Sequence, residues 1–179
     1  MLHEHESSMH SVTGISFAGF SLSPAGRGHT SIVRMLLEWP DHPAQADCSN
    51  GEALVEAARG GHTDVLALLL ARWPVATAMP CACEAMIRAA EGGHVDAVRV
   101  LLGCSELHAP HADYCLAGEA LVRAASGGHA GVVALLLGHP RHALRPNCRV
   151  GEALAQAEAG GHDDVLRLLR QQQQQPGHQ

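Results

Sequence analysis

A Gly-His dipeptide recurs at nearly constant spacing along the chain, and it constrains the fold more than any other feature. The spacings between successive copies are 33, 32, 35 and 33 residues, and the five histidines are His29, His62, His94, His129 and His162. The last four copies are preceded by GEALVEAARG, CEAMIRAAEG, GEALVRAASG and GEALAQAEAG, and Val/Leu-rich segments follow all five. Self-similarity at such a period is the signature of a repeat protein.

Each copy predicts two short helices joined by the Gly-His turn. In the second copy Leu54, Ala57 and Ala58 recur at helical spacing, and a broad apolar segment follows the turn. Gly60 and Gly61 between them are expected to supply the left-handed residues that stop a helix. Helices of about eight residues are marginal alone in water. The copies are therefore expected to stack on one another as an all-α solenoid.

The motif also resembles a known family. The string Leu54-x-x-Ala57-Ala58-x-x-Gly61-His62-x-x-Val65-x-x-Leu68-Leu69 resembles the ankyrin repeat, and its period extends over roughly residues 14–170. The resemblance implies an ankyrin-like helix-turn-helix solenoid of about 4.5 stacked repeats. The repeats are expected at about 14–46, 47–79, 80–112, 113–146 and 147–170. The family's Thr-Pro-Leu-His opening is replaced by Glu-Ala-Leu-Val, and its Gly-rich turn by Pro-rich loops.

The two ends of the array differ from its middle. Glu158 stands where earlier copies have alanine, and Arg170 where they have leucine, which predicts an exposed C-terminal capping repeat. In the first copy Pro24 takes the place of Ala57, so a loop or broken turn is expected there. That copy is either an irregular cap or a decayed repeat.

The flanking segments are predicted to lie outside the repeats. Residues 1–13 are expected to be a disordered N-terminal segment. Residues 171–179 are expected to be a Gln-rich tail, whose run of glutamines can extend the last helix.

Histidine and cysteine are abundant, but their spacing favours structural roles. The Gly-His histidines are expected to hydrogen-bond neighbouring backbone. Equivalent positions of stacked repeats lie roughly 8–10 Å apart, too far for a disulfide or a shared zinc ion. Buried structural roles are therefore expected for the four cysteines at near-equivalent positions, which are Cys48, Cys81, Cys115 and Cys148. We expect no metal, no cofactor and no catalytic residue, because no nucleophile, phosphate-binding or paired-carboxylate motif is found.

Composition narrows the classes of partner. Twelve basic and 18 acidic side chains give a net charge of −6, which argues against direct nucleic-acid binding or an anionic membrane surface. No apolar run reaches the roughly 18–20 residues of a membrane span, and the N-terminus does not resemble a secretory signal. The expected location is intracellular and cytoplasmic, with a protein partner and no small-molecule substrate.

The positions that vary between copies predict the interaction surface. Two positions one turn apart on the first helix read Glu56 and Arg59, Arg88 and Glu91, Arg123 and Ser126, and Gln156 and Ala159. In ankyrin-like arrays this face lines the concave groove, so the resemblance implies partner contacts there. Arg88 and Arg123 can present guanidinium groups to an acidic peptide. The same arginines follow Glu84 and Glu119 by four residues, so ion pairs within the helix are an alternative role.

Loop aromatics extend the candidate surface. Trp39 and Trp73 are expected on loops leaving the second helices, as partner anchors or as covers of the core. The longest loop, Cys104 to Tyr114, is expected to affect specificity.

The function expected from these patterns is a non-enzymatic protein–protein interaction module, acting as a scaffold or adaptor through its concave groove and inter-repeat loops. Two alternatives stay open, namely a structural subunit of a larger assembly and an orphan repeat protein with no dedicated partner.

Overall fold

A computed structural model describes residues 24–38, 51–72, 75–103, 113–138 and 149–174 of the chain. Within these ranges all regular secondary structure is helical, which confirms the predicted all-α fold. The helices are α1 (Thr30–Leu37), α2 (Glu52–Arg59), α3 (Thr63–Arg72), α4 (Val75–Glu91), α5 (Val95–Gly103), α6 (Asp113–Ser126), α7 (Ala130–Gly138), α8 (Val150–Gly160) and α9 (Asp163–Gln174).

The helices form two rows. The first helices of the copies are α2, α4, α6 and α8, and each packs on the next along the chain. The second helices are α1, α3, α5, α7 and α9, and they form a parallel series of neighbours beside the first row. Within each of the last four copies the first helix also packs on the second. Equivalent residues of successive copies therefore lie on neighbouring helices.

Each Gly-His turn ends a first helix by the same hydrogen bonds. The N–H of His62 donates to the carbonyl of Ala57 at 2.9 Å, and that of Gly61 to Ala58 at 3.1 Å. This pattern is the Schellman motif, which requires a left-handed residue after the helix. Gly61 has φ of +70°, whereas Gly60 has φ of −82°. The prediction that both glycines are left-handed is therefore wrong for the first of the two.

The core is built mainly from alanine on the row of first helices and from valine and leucine on the row of second helices. The fully buried side chains of the first helices include the leucines Leu54 and Leu121 and many alanines, such as Ala57, Ala89 and Ala124. The second helices supply larger buried side chains, such as Leu101 and Leu136. None of the described charged or polar residues is buried.

The C-terminal copy has the predicted exposed charges. Glu158 and Arg170 form an ion pair of 3.0 Å, with 57% and 58% of their side chains exposed. The residues at the position of Glu158 in earlier copies, such as Ala90, are completely buried. Helix α9 continues through Gln174, so four glutamines of the run are helical.

The first copy closes its turn in the regular way despite its proline. Residues 24–26 are helical, so the predicted loop or broken turn does not include them. The carbonyl of Pro24 accepts the N–H of His29 at 2.8 Å, because proline lacks only the N–H and keeps its carbonyl. Among the described helices, none combines the length and the apolar composition that crossing a membrane requires.

Candidate interaction surface

The residues predicted to contact a partner lie on one row of neighbouring helices. We call this set the first-helix face. All of its side chains are exposed except that of Glu56, which is half-buried. Its members are Glu56, Arg59, Arg88, Glu91, Arg123, Ser126, Gln156 and Ala159.

Arg88 is held between two carboxylates of its own helix. Its Nε donates to Glu84 at 2.8 Å, and its Nη1 donates to Glu91 at 3.0 Å. The hydrogen bond that Arg88 donates to Glu91 and the charge of Glu84 raise the pKa of Arg88. In α2 the same face has a pair between Arg59 and Glu56 at 2.6 Å. The ion pairs that the sequence offered as an alternative role for Arg88 are therefore present.

Arg123 belongs to a network that joins two copies. Its Nε donates to Glu119 at 2.8 Å, and Glu119 also accepts from Arg149, which precedes α8. Arg149 in turn donates to both carboxylate oxygens of Glu152, at 2.7 and 2.8 Å. These contacts lower the pKa of Glu119, chiefly through Arg123, and lower that of Glu152 through Arg149.

The sequence pattern does not single out Arg149. Its φ is +52°, a left-handed conformation that is uncommon for a residue other than glycine. The available signal was a glutamate at the same position of the last four copies, Glu152 being the last, with Arg149 three residues before it. Its bond to a glutamate 30 residues away depends on the stacking of two copies, which spacing alone does not specify.

We expect Glu119→Gln to lower the melting temperature by about 1–3 °C at pH 7, since exposed ion pairs contribute about 0.2–1 kcal/mol. A carboxylate whose pKa is lowered on folding stabilises the folded state above its unfolded pKa. This contribution is lost as the pH falls through the folded value, so the difference between the wild type and the variant should shrink as the pH is lowered. Thermal unfolding between pH 7 and pH 3 measures the difference, and a constant difference across this range would contradict the account.

A second structural series runs along the Gly-His turns. Each of four histidines donates its Nε2–H to a backbone carbonyl of the preceding copy. A carbonyl can only accept, so Nε2 is the protonated nitrogen. The bonds are His62 to Gly26 at 3.0 Å, His94 to Arg59 at 2.9 Å, His129 to Glu91 at 2.9 Å and His162 to Ser126 at 3.0 Å. We call this series the histidine ladder.

The glycines of each turn make room for the imidazole rings. A Cβ on Gly61 would lie 2.5 Å from the Nδ1 of His94, in the next copy. A Cβ on Gly60 would lie 2.5 Å from the Nε2 of His62, in its own copy. Each interior ring is therefore bounded by glycines of two successive copies. The predicted hydrogen bonding to backbone is confirmed for His62, His94, His129 and His162, and the acceptor lies in the preceding copy.

Three residues of the first-helix face also supply the carbonyl groups that accept hydrogen bonds from the histidine ladder. The carbonyls that accept from His94, His129 and His162 belong to the face residues Arg59, Glu91 and Ser126. Each imidazole thus fixes the backbone that carries a variable side chain. The side chains can differ between copies while the peptide groups beneath them keep the same bond.

Of the three aromatic residues predicted as anchors, only Tyr114 belongs to a described helix. Trp39 and Trp73 lie outside the described residues. Tyr114 was expected at the end of a loop, but α6 begins at Asp113, which places Tyr114 in a helix. The correction has a sequence basis, because Tyr-Cys-Leu-Ala lacks a helix-breaking residue before the Gly-Glu-Ala motif. The side chain of Tyr114 is outside the described part.

Neither cysteine whose side chain the structure describes forms a disulfide. Cys81 and Cys83 are both half-buried, and burial raises the pKa of the Cys81 thiol. Full burial, as predicted for Cys81, is therefore not observed. Cys48 and Cys148 lie outside the described residues, as does the side chain of Cys115. Within the described ranges, no three His, Cys, Asp or Glu residues are grouped as a metal site would require.

No protein-family model matches the chain, and a search of curated proteins finds no match.

Proposed function

We propose that the chain is an ankyrin-like solenoid that acts as a non-enzymatic protein-interaction module, with the first-helix face as its binding surface. One observation carries the proposal. A repeated framework of buried alanines, glycines and the histidine ladder supports a row of exposed side chains that differ from copy to copy. Repeat proteins bind partners through extended surfaces of this kind.

The packing of the two rows supports the concave placement of this face. The first helices bury mainly alanine, whereas the second helices bury mainly valine and leucine, and helices of each row pack on one another. Smaller side chains allow closer approach of neighbouring helices. A stack that is narrower on one side curves towards that side, so the first-helix face lies on the inside of the proposed curve.

The arginines of the face keep donors for a partner. Arg88 uses Nε and Nη1 in its two ion pairs, and Arg123 donates through Nε to Glu119. A guanidinium has five N–H donors, so Nη2 of Arg88 and both terminal nitrogens of Arg123 remain for a partner's carboxylate or carbonyl group. The pairs also hold the side chains in place, which reduces the ordering cost of binding. An acidic or carbonyl-rich peptide segment fits these donors.

Affinity capture from native extract, followed by titration with the purified partner, tests the proposal. The variant Arg88→Ala/Arg123→Ala is compared with Arg99→Ala/Arg167→Ala. The control arginines lie on second helices and form equivalent pairs with Asp96 and Asp164, at 2.9 and 3.3 Å. Far-UV circular dichroism establishes that both variants are folded.

We expect a stoichiometric partner for the wild type and the control, and binding weaker by about tenfold or more for the first-helix variant, as for an interface arginine. Equal binding by all three proteins would contradict the assigned surface. Failure of the wild type to retain any partner would contradict the assigned function.

A further inference from the structure

The N-terminal end of the described array exposes apolar side chains. Ile32 is 43% exposed and Met35 is 61% exposed, and they are the exposed large hydrophobic residues of the described part. Both lie on α1, whose Val33 and Leu37 are buried while α1 packs on α3. We call Ile32 and Met35 the N-terminal end face.

The repeat itself shows that the position of Ile32 is normally covered. The residue three positions after the Gly-His histidine is buried in each of the other four copies. The exposed fractions are 0% for Val65, 1% for Ala97, 0% for Val132 and 0% for Val165. In those copies the second helix is packed by the complete first helix of its own copy. For α1 only residues 24–26 of that element are described.

The opposite end of the array is finished differently. There the charged pair of Glu158 and Arg170 faces solvent, so no further apolar cover is needed. The N-terminal end face has no such pair and carries aliphatic side chains instead. Contact with the C-terminal end of a second copy would press Ile32 and Met35 against this charged pair, which is unfavourable. A segment of the same chain is the better occupant.

We propose that residues 14–23 cover the N-terminal end face, with Phe17 and Phe20 in contact with Ile32 and Met35. The chain enters the array at this end, where Ala25 is 0% exposed and residues 24–26 are helical. The preceding segment is therefore tethered beside the face, at high effective concentration.

The composition of the segment matches an apolar face. No Asp, Glu, Lys or Arg occurs between Glu6 and Arg27, and the chain's two phenylalanines are Phe17 and Phe20. Ser21 stands where Leu54 stands in the second copy, so the first copy lacks a large apolar side chain at that position. The phenylalanines supply the missing volume. The first copy is then an irregular cap rather than a decayed repeat.

Full-length variants test the contact by hydrogen–deuterium exchange of the amides of α1. Phe17→Ser/Phe20→Ser is compared with Ile32→Ser/Met35→Ser and with the combination of all four changes. Phe17→Leu/Phe20→Leu is the matched control, because it keeps an apolar side chain at both positions. Light scattering at several concentrations reports self-association of the wild type and of each variant.

We expect exchange in α1 to become about tenfold faster in either serine pair and to increase little further when the pairs are combined, because both remove one contact. The leucine control should exchange like the wild type. Wild-type exchange in Phe17→Ser/Phe20→Ser would overturn the proposal, as would additive effects of the two pairs. A wild-type dimer that Ile32→Ser/Met35→Ser dissociates would also overturn it, since a second copy would then be the occupant.

Discussion

Replacing Gly61 by alanine is expected to destabilise the array by about 2–3 kcal/mol. A left-handed backbone costs a residue with a Cβ about 1–2 kcal/mol, and Gly61 has φ of +70°. The new Cβ would also lie 2.5 Å from the ring of His94, so the ring must move and its bond to Arg59 is lost. A broken hydrogen bond adds about 1 kcal/mol. Urea unfolding followed by circular dichroism measures the sum.

Substitutions at two other glycines separate the cost of the left-handed backbone from that of the clash with the imidazole ring. Gly161 has the same left-handed φ of +70° with nothing within 4 Å of a Cβ, so Gly161→Ala isolates the backbone cost of about 1–2 kcal/mol. Gly138 ends α7 and has neither feature. Gly138→Ala should leave the free energy of unfolding unchanged or raise it by less than about 1 kcal/mol.

Removal of the ring tests the cause of the larger effect. In Gly61→Ala/His94→Ala the clash is absent, so the double variant should be more stable than the sum of the single changes predicts. Additive effects, or equal effects of Gly61→Ala and Gly161→Ala, would contradict the close packing of the ladder.

The second large loss of stability is expected at a position that holds alanine in the interior copies and glutamate in the last copy. Ala90 is completely buried, whereas Glu158, at the same position of the last copy, is 57% exposed. Ala90→Glu should destabilise the protein by about 4 kcal/mol or more, because it places a carboxylate among apolar neighbours. Glu158→Ala should change stability by less than about 1 kcal/mol, since only an exposed ion pair is lost.

Ala90→Leu distinguishes volume from charge. Overpacking alone costs about 1–3 kcal/mol, so the leucine variant should lie between the wild type and Ala90→Glu in urea unfolding. Tolerance of glutamate at position 90 comparable with that at 158 would contradict the stacking of interior copies.

Much of the helical framework could be predicted from the sequence, because its determinants are local. The Gly-His turn, the Leu54 and Ala57 spacing and the charged residues of the last copy each depend on neighbours within one copy. The sequence predicts a loop as far as Tyr114, whereas α6 begins at Asp113, because no helix-breaking residue separates Tyr114 from the Gly-Glu-Ala motif. The repeat motif marks the part of a helix that recurs between copies and not its full length.

For the inter-copy contacts, the sequence predicts the type of interaction but not the partner residue. The histidines were expected to bond backbone, but the choice of Arg59 as the acceptor for His94 requires the stacking distance between copies. The link from Arg149 to Glu119 has the same origin. Arg88 and Arg123 were identified with both of their possible roles. Their ion pairs within the helix are present, and the role in binding is the proposal that the paired variants test.

Within each copy, one set of residues determines stability and a different set is available for recognition. Glycine, alanine and imidazole groups set the stacking, and the exposed side chains above Arg59, Glu91 and Ser126 can vary without altering it. The account therefore predicts that changes in the framework lower stability, whereas changes on the face alter binding first.

Carboxyl labelling of the complex with the captured partner, read by mass spectrometry, tests this assignment most directly. The first helices carry exposed glutamates such as Glu91, at 46%, and Glu84, at 44%. The second helices carry exposed aspartates such as Asp96, at 74%, and Asp164, at 79%. We predict that the partner protects Glu84 and Glu91 from labelling and leaves Asp96 and Asp164 as reactive as in the free protein. Protection of the aspartates with unchanged glutamates would contradict the proposal that the first-helix face binds the partner.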